Sequence, residues 1–143
     1  MRALLDVNVL IALLDASHVH HQLVRAWLSA HIRHGWASCP ITQIGCIRIM
    51  SQPAYPNPRA PAEIAERLRL AASDRHHAFW AADANLLAES RVDWRGLLSA
   101  RHVTDVYLLT LAVERRGRFA TLDRHVPVGA VPGAQARHLV VIR

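Results

Sequence analysis

Short apolar runs alternate with longer amphipathic segments along the sequence, and this order constrains the fold more than any other feature. The apolar runs have the length of strands and lie at residues 2–5, 36–39, 79–80, 119–122 and 139–142. Strands that alternate with helices are typical of a parallel sheet covered on both faces. The sequence therefore predicts an α/β fold of three layers, α/β/α, with a short, mostly parallel central sheet.

The predicted helices begin at local start signals. Ser17 is expected to cap a helix with Val19 on its buried stripe. Pro40 and Pro61 each suit the first turn of a helix, because that turn leaves its N–H groups unpaired and proline has none. Further helices are expected directly after Asp6, at residues 83–88, and at residues 103–116 with an end at Gly117.

Size and composition fit one folded domain. The 143 residues lie within the usual domain range and contain no long polar linker, so a single domain is expected over residues 1–143. Apolar residues make up 52% of the chain and charged residues 20%, which excludes a disordered protein. No window of 18 uninterrupted apolar residues occurs, so no membrane-spanning segment is expected.

Cysteine use and the first residues predict a cytoplasmic protein. Cys39 and Cys46 are seven residues apart in a segment predicted to be helical, which places their Cα atoms about 10 Å apart and excludes a disulfide between them. Met1 leads straight into a predicted strand, without the basic start and apolar run of a secretion signal. A reducing cytoplasm is the expected compartment.

The positive charge is carried entirely by arginine. The chain has 17 Lys+Arg, every one of them arginine, against 11 Asp+Glu, for a net charge of +6 with histidine neutral. Arginine pairs with phosphate through a planar fork, so this bias suits a polyanionic partner. A GC-rich genome produces the same bias, and composition does not separate the two explanations.

Three aspartates occupy positions from which their side chains can converge. Asp6 and Asp123 each follow a predicted strand, and ligands bind at the carboxyl ends of strands in open parallel sheets. Asp105 lies in the first turn of the late helix, where the helix dipole stabilises negative charge. Three adjacent carboxylates repel one another unless a cation balances them, and oxygen ligands favour Mg²⁺, with Mn²⁺ as a substitute. The sequence thus predicts a metal site with nuclease chemistry.

Each of these aspartates also has an ordinary structural interpretation. Asp6 is suited to capping the helix that follows it, and Asp105 is suited to the same first-turn role after Thr104. Asp123 is a common turn residue before Arg124. Only convergence in space distinguishes a metal site from three separate local roles.

Three sequence blocks resemble the PIN-domain ribonucleases of the VapC toxin type. The opening Leu-Leu-Asp-Val-Asn-Val-Leu-Ile-Ala-Leu resembles the start of that family, with Asp6 as its first acid and Asn8 beside it. His-Val-Thr-Asp-Val-Tyr-Leu-Leu-Thr-Leu-Ala resembles the helix that carries Asp105, and Phe-Ala-Thr-Leu-Asp-Arg the strand that leads to Asp123. The three blocks occur in order and span nearly the full chain.

The resemblance implies a function and partners that composition does not. It implies a metal-dependent endoribonuclease that is the toxin of a toxin–antitoxin pair, a homodimer, and inhibition by a cognate antitoxin protein. Asp6, Asp105 and Asp123 are the implied metal ligands. Thr121, two residues before Asp123, is placed to hold a metal-bound water, although strand alternation explains it equally well.

One position departs from the family pattern. The family supplies a glutamate from the helix after the second strand, and Gln43 stands where that acid is expected. Glutamine offers an oxygen without a charge, so weaker metal binding, a single metal ion and reduced activity are expected. A solvent-facing helix residue is the plain structural interpretation of Gln43.

Other functions remain as alternatives. A catalytically weakened PIN-like module that binds RNA or antitoxin is favoured by Gln43 and disfavoured by the three acids. A phosphatase or receiver domain is disfavoured by Asn8 and by the absence of lysine. Zinc is disfavoured because the ten histidines and two cysteines form no ligand pattern. Trp94 is the best candidate for an exposed aromatic residue, and the arginines nearest the three blocks are Arg48, Arg101, Arg116, Arg118 and Arg124.

Overall fold

A five-stranded parallel sheet forms the centre of the protein in the computed structural model, which describes residues 1–143. The strands are β1 (Ala3–Leu5), β2 (Trp36–Ser38), β3 (His77–Phe79), β4 (Arg118–Thr121) and β5 (Leu139–Val141). Their order is β3-β2-β1-β4-β5, and every neighbouring pair is parallel. The predicted parallel sheet is therefore confirmed.

Helices cover both faces of this sheet. They are α1 (Val7–Leu14), α2 (His21–His31), α3 (Pro40–Met50), α4 (Pro61–Ala72) and α5 (Val103–Glu114). Ala3 and Leu5 of β1 pack with α1 to α4, whereas Leu4 between them packs with α5 on the other face. The side-chain period of two along a strand thus divides the core into two halves, and the three-layer α/β/α prediction is confirmed.

Several start signals behave as predicted. Pro40 and Pro61 are the first residues of α3 and α4, where their fixed φ suits the helix and no N–H is lost.

Cys39 and Cys46 are both buried and both free, as the spacing predicted. No helix has the combination of length and apolar character that crossing a membrane requires.

The predicted cap at Ser17 is wrong. Residues 16–20 form a turn, in which the Asp15 carboxylate accepts a hydrogen bond from the Ser17 N–H at 2.9 Å, and α2 begins only at His21. Val19, which was predicted to be buried, is 86% exposed. The Asp15 side chain stabilises a turn directly after α1, and the next helix therefore has its N-cap at His20, three residues later than predicted.

The predicted helix at residues 83–88 is also wrong, because this segment forms turns and irregular chain. Asp83 pairs with Arg115 at 2.8 Å, and the Asn85 side chain accepts a hydrogen bond from the Leu87 N–H at 3.1 Å. Six residues gain few helical hydrogen bonds against a costly nucleation step, and Leu87 is 84% exposed, so no packing compensates that cost.

The sequence predicted that Gly117 ends α5, but glycine is required there for a different physical reason. Arg116, not Gly117, adopts the positive φ, at 55°. Gly117 is required for close approach instead, because a Cβ at this position would lie 2.6 Å from the backbone oxygen of Arg2 and 2.7 Å from the Trp80 ring. The glycine thus lets the entry to β4 lie against β1 and Trp80.

Candidate active site

Asp6 and Asp123 lie at the same edge of the sheet. Asp6 directly follows β1, and Asp123 is two residues beyond the end of β4, the strand that pairs with β1. The chain runs from β1 outward to β2 and β3 on one side, and from β4 to β5 on the other. The point at which strand order reverses is where ligands bind in open α/β sheets, since the adjoining loops separate there.

The Asp6 carboxylate is buried and held on both oxygens. It is 7% exposed, and Oδ1 accepts a hydrogen bond from the Val7 N–H at 2.7 Å. Oδ2 accepts a hydrogen bond from the Thr121 hydroxyl at 2.6 Å. Asp6 is also the N-cap of α1, so it has both the structural role and the central position that the sequence suggested.

Burial and neighbouring carboxylates disfavour the charged form of Asp6. Burial is the main cause that raises its pKa from 3.8 to about 6, the Thr121 hydrogen bond opposes this shift, and repulsion from Asp105 and Asp123 adds to it. Burial, followed by repulsion from Asp123, also raises the pKa of Asp105, while a hydrogen bond to His102 lowers it. A cation at this edge would relieve the repulsion that both pKa shifts report.

His102, Asp105 and Asp123 form a compact group of partly buried donors. One ligand atom from each lies within 4.8 Å of the other two, and His102 Nδ1 lies 3.4 Å from Asp105 Oδ2. The sequence reasoning did not select His102, although its position three residues before Asp105 places the two side chains on neighbouring turns. Asp6 is outside this group, but it lies close enough to Asp105 and Asp123 for their charges to raise its own pKa.

The donor set fits a divalent ion. Two ligands on opposite sides of an octahedral ion, each at about 2.1 Å, lie about 4.2 Å apart. Donors that already lie within 4.8 Å of one another therefore reach one ion through small side-chain rotations. Two carboxylates and an imidazole are all established ligands of divalent metals.

Thr121 and Asn8 hold the acids in place. The Thr121 hydroxyl donates to Asp6 and accepts from the Asn8 side-chain amide at 3.3 Å and from the Asp123 N–H at 3.0 Å. Its donor and both its lone pairs are thereby used within the chain, which favours a positioning role for Thr121 over the water-holding role that the sequence suggested. Asn8 also accepts a hydrogen bond from the Leu122 N–H at 3.2 Å, which ties α1 to the loop that carries Asp123.

Gln43 is not brought together with the acids. Its amide donates to Ser38 Oγ at 2.9 Å, and Ser38 Oγ lies 2.8 Å from His77 Nε2. Gln43 lines a cavity with residues of α4, whereas a separate open groove of about 380 Å³ extends from Asp6 along α3. The α3 residues that line this groove are Ile41, Ile44, Gly45, Arg48 and Ile49. None of them is acidic.

Of the five arginines that the sequence placed near the candidate blocks, three lie on the groove or near the acids. Arg48 is exposed and lines the groove beside Asp6, and the charge of Arg101 lowers the pKa of Asp105. Arg116 and Arg118 lie at the amino end of β4, opposite the end that leads to Asp123. Arg124 is exposed next to Asp123, and Trp94 is 43% exposed, as predicted.

Replacing Thr121 by valine is expected to destabilise the protein and weaken the site. Valine keeps the shape but leaves the Asp6 oxygen, the Asp123 N–H and the Asn8 amide without their partner, at a cost of about 2 kcal/mol in the free energy of unfolding. Thr121→Ser retains the hydroxyl and is the matched control. Denaturant titration in chelator measures the difference, and equal stability of the valine and serine variants would contradict this role.

Comparison with known proteins gives a consistent result. A family model described as "PIN domain" matches residues 3–129. The chain is 49% identical over 142 residues to Ribonuclease VapC44 of Mycobacterium tuberculosis, which covers 99% of this chain and 100% of the relative. It is 38% identical over 134 residues to Ribonuclease VapC39 of the same organism, which covers 93% of this chain and 96% of the relative.

Two solved structures share the fold. VapC20 of Mycobacterium tuberculosis, described as a sarcin-ricin loop cleaving toxin, has a TM-score of 0.57 at 14% identity and covers 86% of this chain and 89% of its own. VapBC2 of Rickettsia felis, bound to a DNA fragment from their promoter, has a TM-score of 0.63 at 10% identity and covers 94% of this chain and 96% of its own. At these identities the likeness concerns the fold alone.

Proposed function

The chain belongs to the PIN-domain family and, within it, to the VapC ribonucleases, and from this premise we propose that it is a metal-dependent endoribonuclease, the toxin of a toxin–antitoxin pair. The observation that carries the proposal is the convergence of Asp6, Asp105 and Asp123 at one edge of the sheet, although the first and the last are 117 positions apart in the chain. If each aspartate had only a local structural role, such as capping a helix or forming a turn, the three side chains would not need to lie close together.

The proposed chemistry is hydrolysis of an RNA phosphodiester. A divalent ion bound here would supply an activated water for attack on phosphorus and would neutralise charge on the leaving oxygen. Asp105 and Asp123 would hold that ion, and Asp6 adds a third negative charge beside them. Thr121 fixes the orientation of Asp6, and Asn8 fixes the loop of Asp123, so both are proposed as positioning residues. We propose Mg²⁺ as the ion in the cell, where metal availability rather than raw affinity decides occupancy, with Mn²⁺ as a substitute.

The groove beside Asp6 is the proposed path of the RNA. It is open, its one basic side chain is Arg48, and its apolar wall is formed by α3. Arg48 is placed to contact a phosphate next to the one that is cleaved. The net charge of +6 supports an anionic substrate along the wider surface.

The remaining proposals concern assembly and compartment. A largely apolar cavity of about 370 Å³ between α1, α2 and α4, lined by Leu10, Leu13 and Leu28 among others, is a suitable seat for an amphipathic antitoxin helix. A homodimer and a cytoplasmic location are proposed from the family and from the free cysteines. The two halves of the core share one sheet, which supports a single domain over residues 1–143.

A weakened RNA-binding or antitoxin-binding module is the second candidate function. It is favoured by the groove wall of α3, which offers isoleucines, a glycine and an arginine where the family supplies a glutamate. Since Gln43 faces away from the groove, its replacement by glutamate is not expected to restore that charge to the site.

The decisive experiment is cleavage of a total cellular RNA pool by the purified chain, freed of antitoxin, in Mg²⁺, in Mn²⁺ and in chelator. Discrete products that require metal and vanish in Asp105→Asn are expected. Asp93→Asn is the matched control, because Asp93 is an exposed N-cap outside the site and asparagine also caps helices. RNA binding without cleavage in either metal would instead support the weakened module.

A further inference from the structure

His102 is the N-cap residue of α5, but its side chain makes no capping hydrogen bond. It is the last residue of a short 3-10 turn, Ala100–His102, that runs directly into α5. Its N–H donates to the Ser99 carbonyl at 3.2 Å, and the Ser99 hydroxyl accepts from Arg101 at the start of the turn. The backbone that carries the imidazole is therefore held at both ends of the turn.

The imidazole is enclosed together with the acids. The side chains of His102 and Asp105 are 16% and 14% exposed, and a ring nitrogen of His102 lies within 4.8 Å of carboxylate oxygens of both Asp105 and Asp123. Nδ1 lies 3.4 Å from Asp105, at the long end of hydrogen bonding, and Nε2 has no hydrogen-bond partner in the chain. A residue that served only to orient Asp105 would not need to approach Asp123 as well.

We propose that His102 is a direct ligand of the divalent ion and that this nitrogen donor gives the site a preference for Mn²⁺ over Mg²⁺. The inference rests on the proposed metal-dependent function and specifies its ligand set as one imidazole and two carboxylates. Mg²⁺ strongly prefers oxygen ligands and retains its waters, whereas transition-metal ions bind imidazole as well as carboxylate. The nitrogen therefore adds affinity for Mn²⁺ and little for Mg²⁺.

Electron paramagnetic resonance of the Mn²⁺-loaded protein tests this without reference to activity. Pulsed measurements are expected to show the hyperfine coupling of a directly bound nitrogen. Labelling the histidines of the unaltered protein with ¹⁵N should change that coupling to the ¹⁵N pattern, which identifies the nitrogen as imidazole with no need for a variant. Mn²⁺ bound without nitrogen coupling would overturn the proposal and leave His102 as a positioning partner of Asp105.

Metal affinity gives the second readout. His102→Asn substitutes an oxygen donor and is expected to weaken Mn²⁺ binding about tenfold while it changes Mg²⁺ binding much less, measured by competition for the free Mn²⁺ signal. His34→Gln, an exposed histidine at the opposite edge of the sheet, is the control and should change neither affinity. An equal loss for both ions would overturn the preference.

The RNA assay separates this inference from the proposed function. Metal-dependent cleavage together with Mn²⁺ binding that lacks nitrogen coupling refutes only the role of His102. Failure of the protein to bind Mn²⁺ refutes His102 as a ligand, and failure to cleave RNA in any metal refutes the nuclease itself.

Discussion

Asp6→Asn is expected to abolish RNA cleavage and, at the same time, to stabilise the metal-free protein at neutral pH. Loss of the buried charge at the centre of the site should lower cleavage by at least about 10³-fold, since such centrally placed charges stabilise the transition state strongly. The fold should survive, because asparagine is also a good N-cap and its oxygen can accept the hydrogen bond from the Val7 N–H.

The stability change follows from the raised pKa of Asp6. Below pH 3.8 the carboxyl is protonated in both the folded and the unfolded chain, so it does not affect the unfolding equilibrium. Between pH 3.8 and about 6 the unfolded chain ionises first, and the stability of the folded chain falls as pH rises. Above about pH 6 the loss is constant, on the order of 2 to 3 kcal/mol. Asparagine avoids this loss, but its amide nitrogen cannot accept the hydrogen bond from the Thr121 hydroxyl, which costs about 1 kcal/mol, so the net gain in stability is smaller than the loss that it removes.

Thermal unfolding in chelator from pH 4 to 8 measures this effect. The melting temperature of Asp6→Asn should exceed that of the unaltered protein by several degrees at pH 7, and the two curves should converge toward pH 4. Added Mn²⁺ should stabilise the unaltered protein more than the variant, because only the former supplies all three charges. A variant that is less stable at every pH would contradict the assigned burial cost.

Among glycine-to-alanine substitutions at the glycines with negative φ, Gly117→Ala is expected to lower the stability of the protein most. The new Cβ would meet the backbone oxygen of Arg2 and the Trp80 ring, and neither can move without disturbing β1 or the core. Overpacking of this kind should lower the free energy of unfolding by about 3 kcal/mol. Because β4 then leads to Thr121 and Asp123, the site should loosen as well.

Gly129→Ala is the matched control for this substitution. Gly129 lies in a short 3-10 helix, and no atom lies within 4 Å of where its Cβ would be, so alanine there should leave stability unchanged or slightly raised. Denaturant titration of both variants compares the two directly. Equal free energies of unfolding would show that the close approach at Gly117 is not required.

The sheet and its acids were predictable because they depend on patterns that the sequence displays. The alternation of strands and helices predicted that the strands are parallel. In a parallel sheet the residues after β1 and β4 lie at the same edge, independent of the loop conformations. Asp6 and Asp123 could therefore be assigned to one edge of the sheet before the distances were known. Asp105 followed from its place in the first turn of α5.

Features that depend on helix phase or on competing local bonds were not predictable. Gln43 was assigned to the site from its place in the chain, but the rotation of α3 about its axis turns it toward Ser38. Ser17 lost its capping role to the turn made by Asp15. His102 was missed because its link to Asp105 crosses the junction between a 3-10 turn and α5, where helical spacing alone does not fix direction.

Because β1 pairs with β4, the nascent chain cannot assemble its site early in synthesis. Asp6 is translated before Thr121, its hydroxyl partner, and 115 positions of the chain separate the two. A chain that folds from its amino terminus must hold the first acid without its neighbours for most of this time. Cleavage activity is therefore expected only after β4 has been translated and has paired with β1.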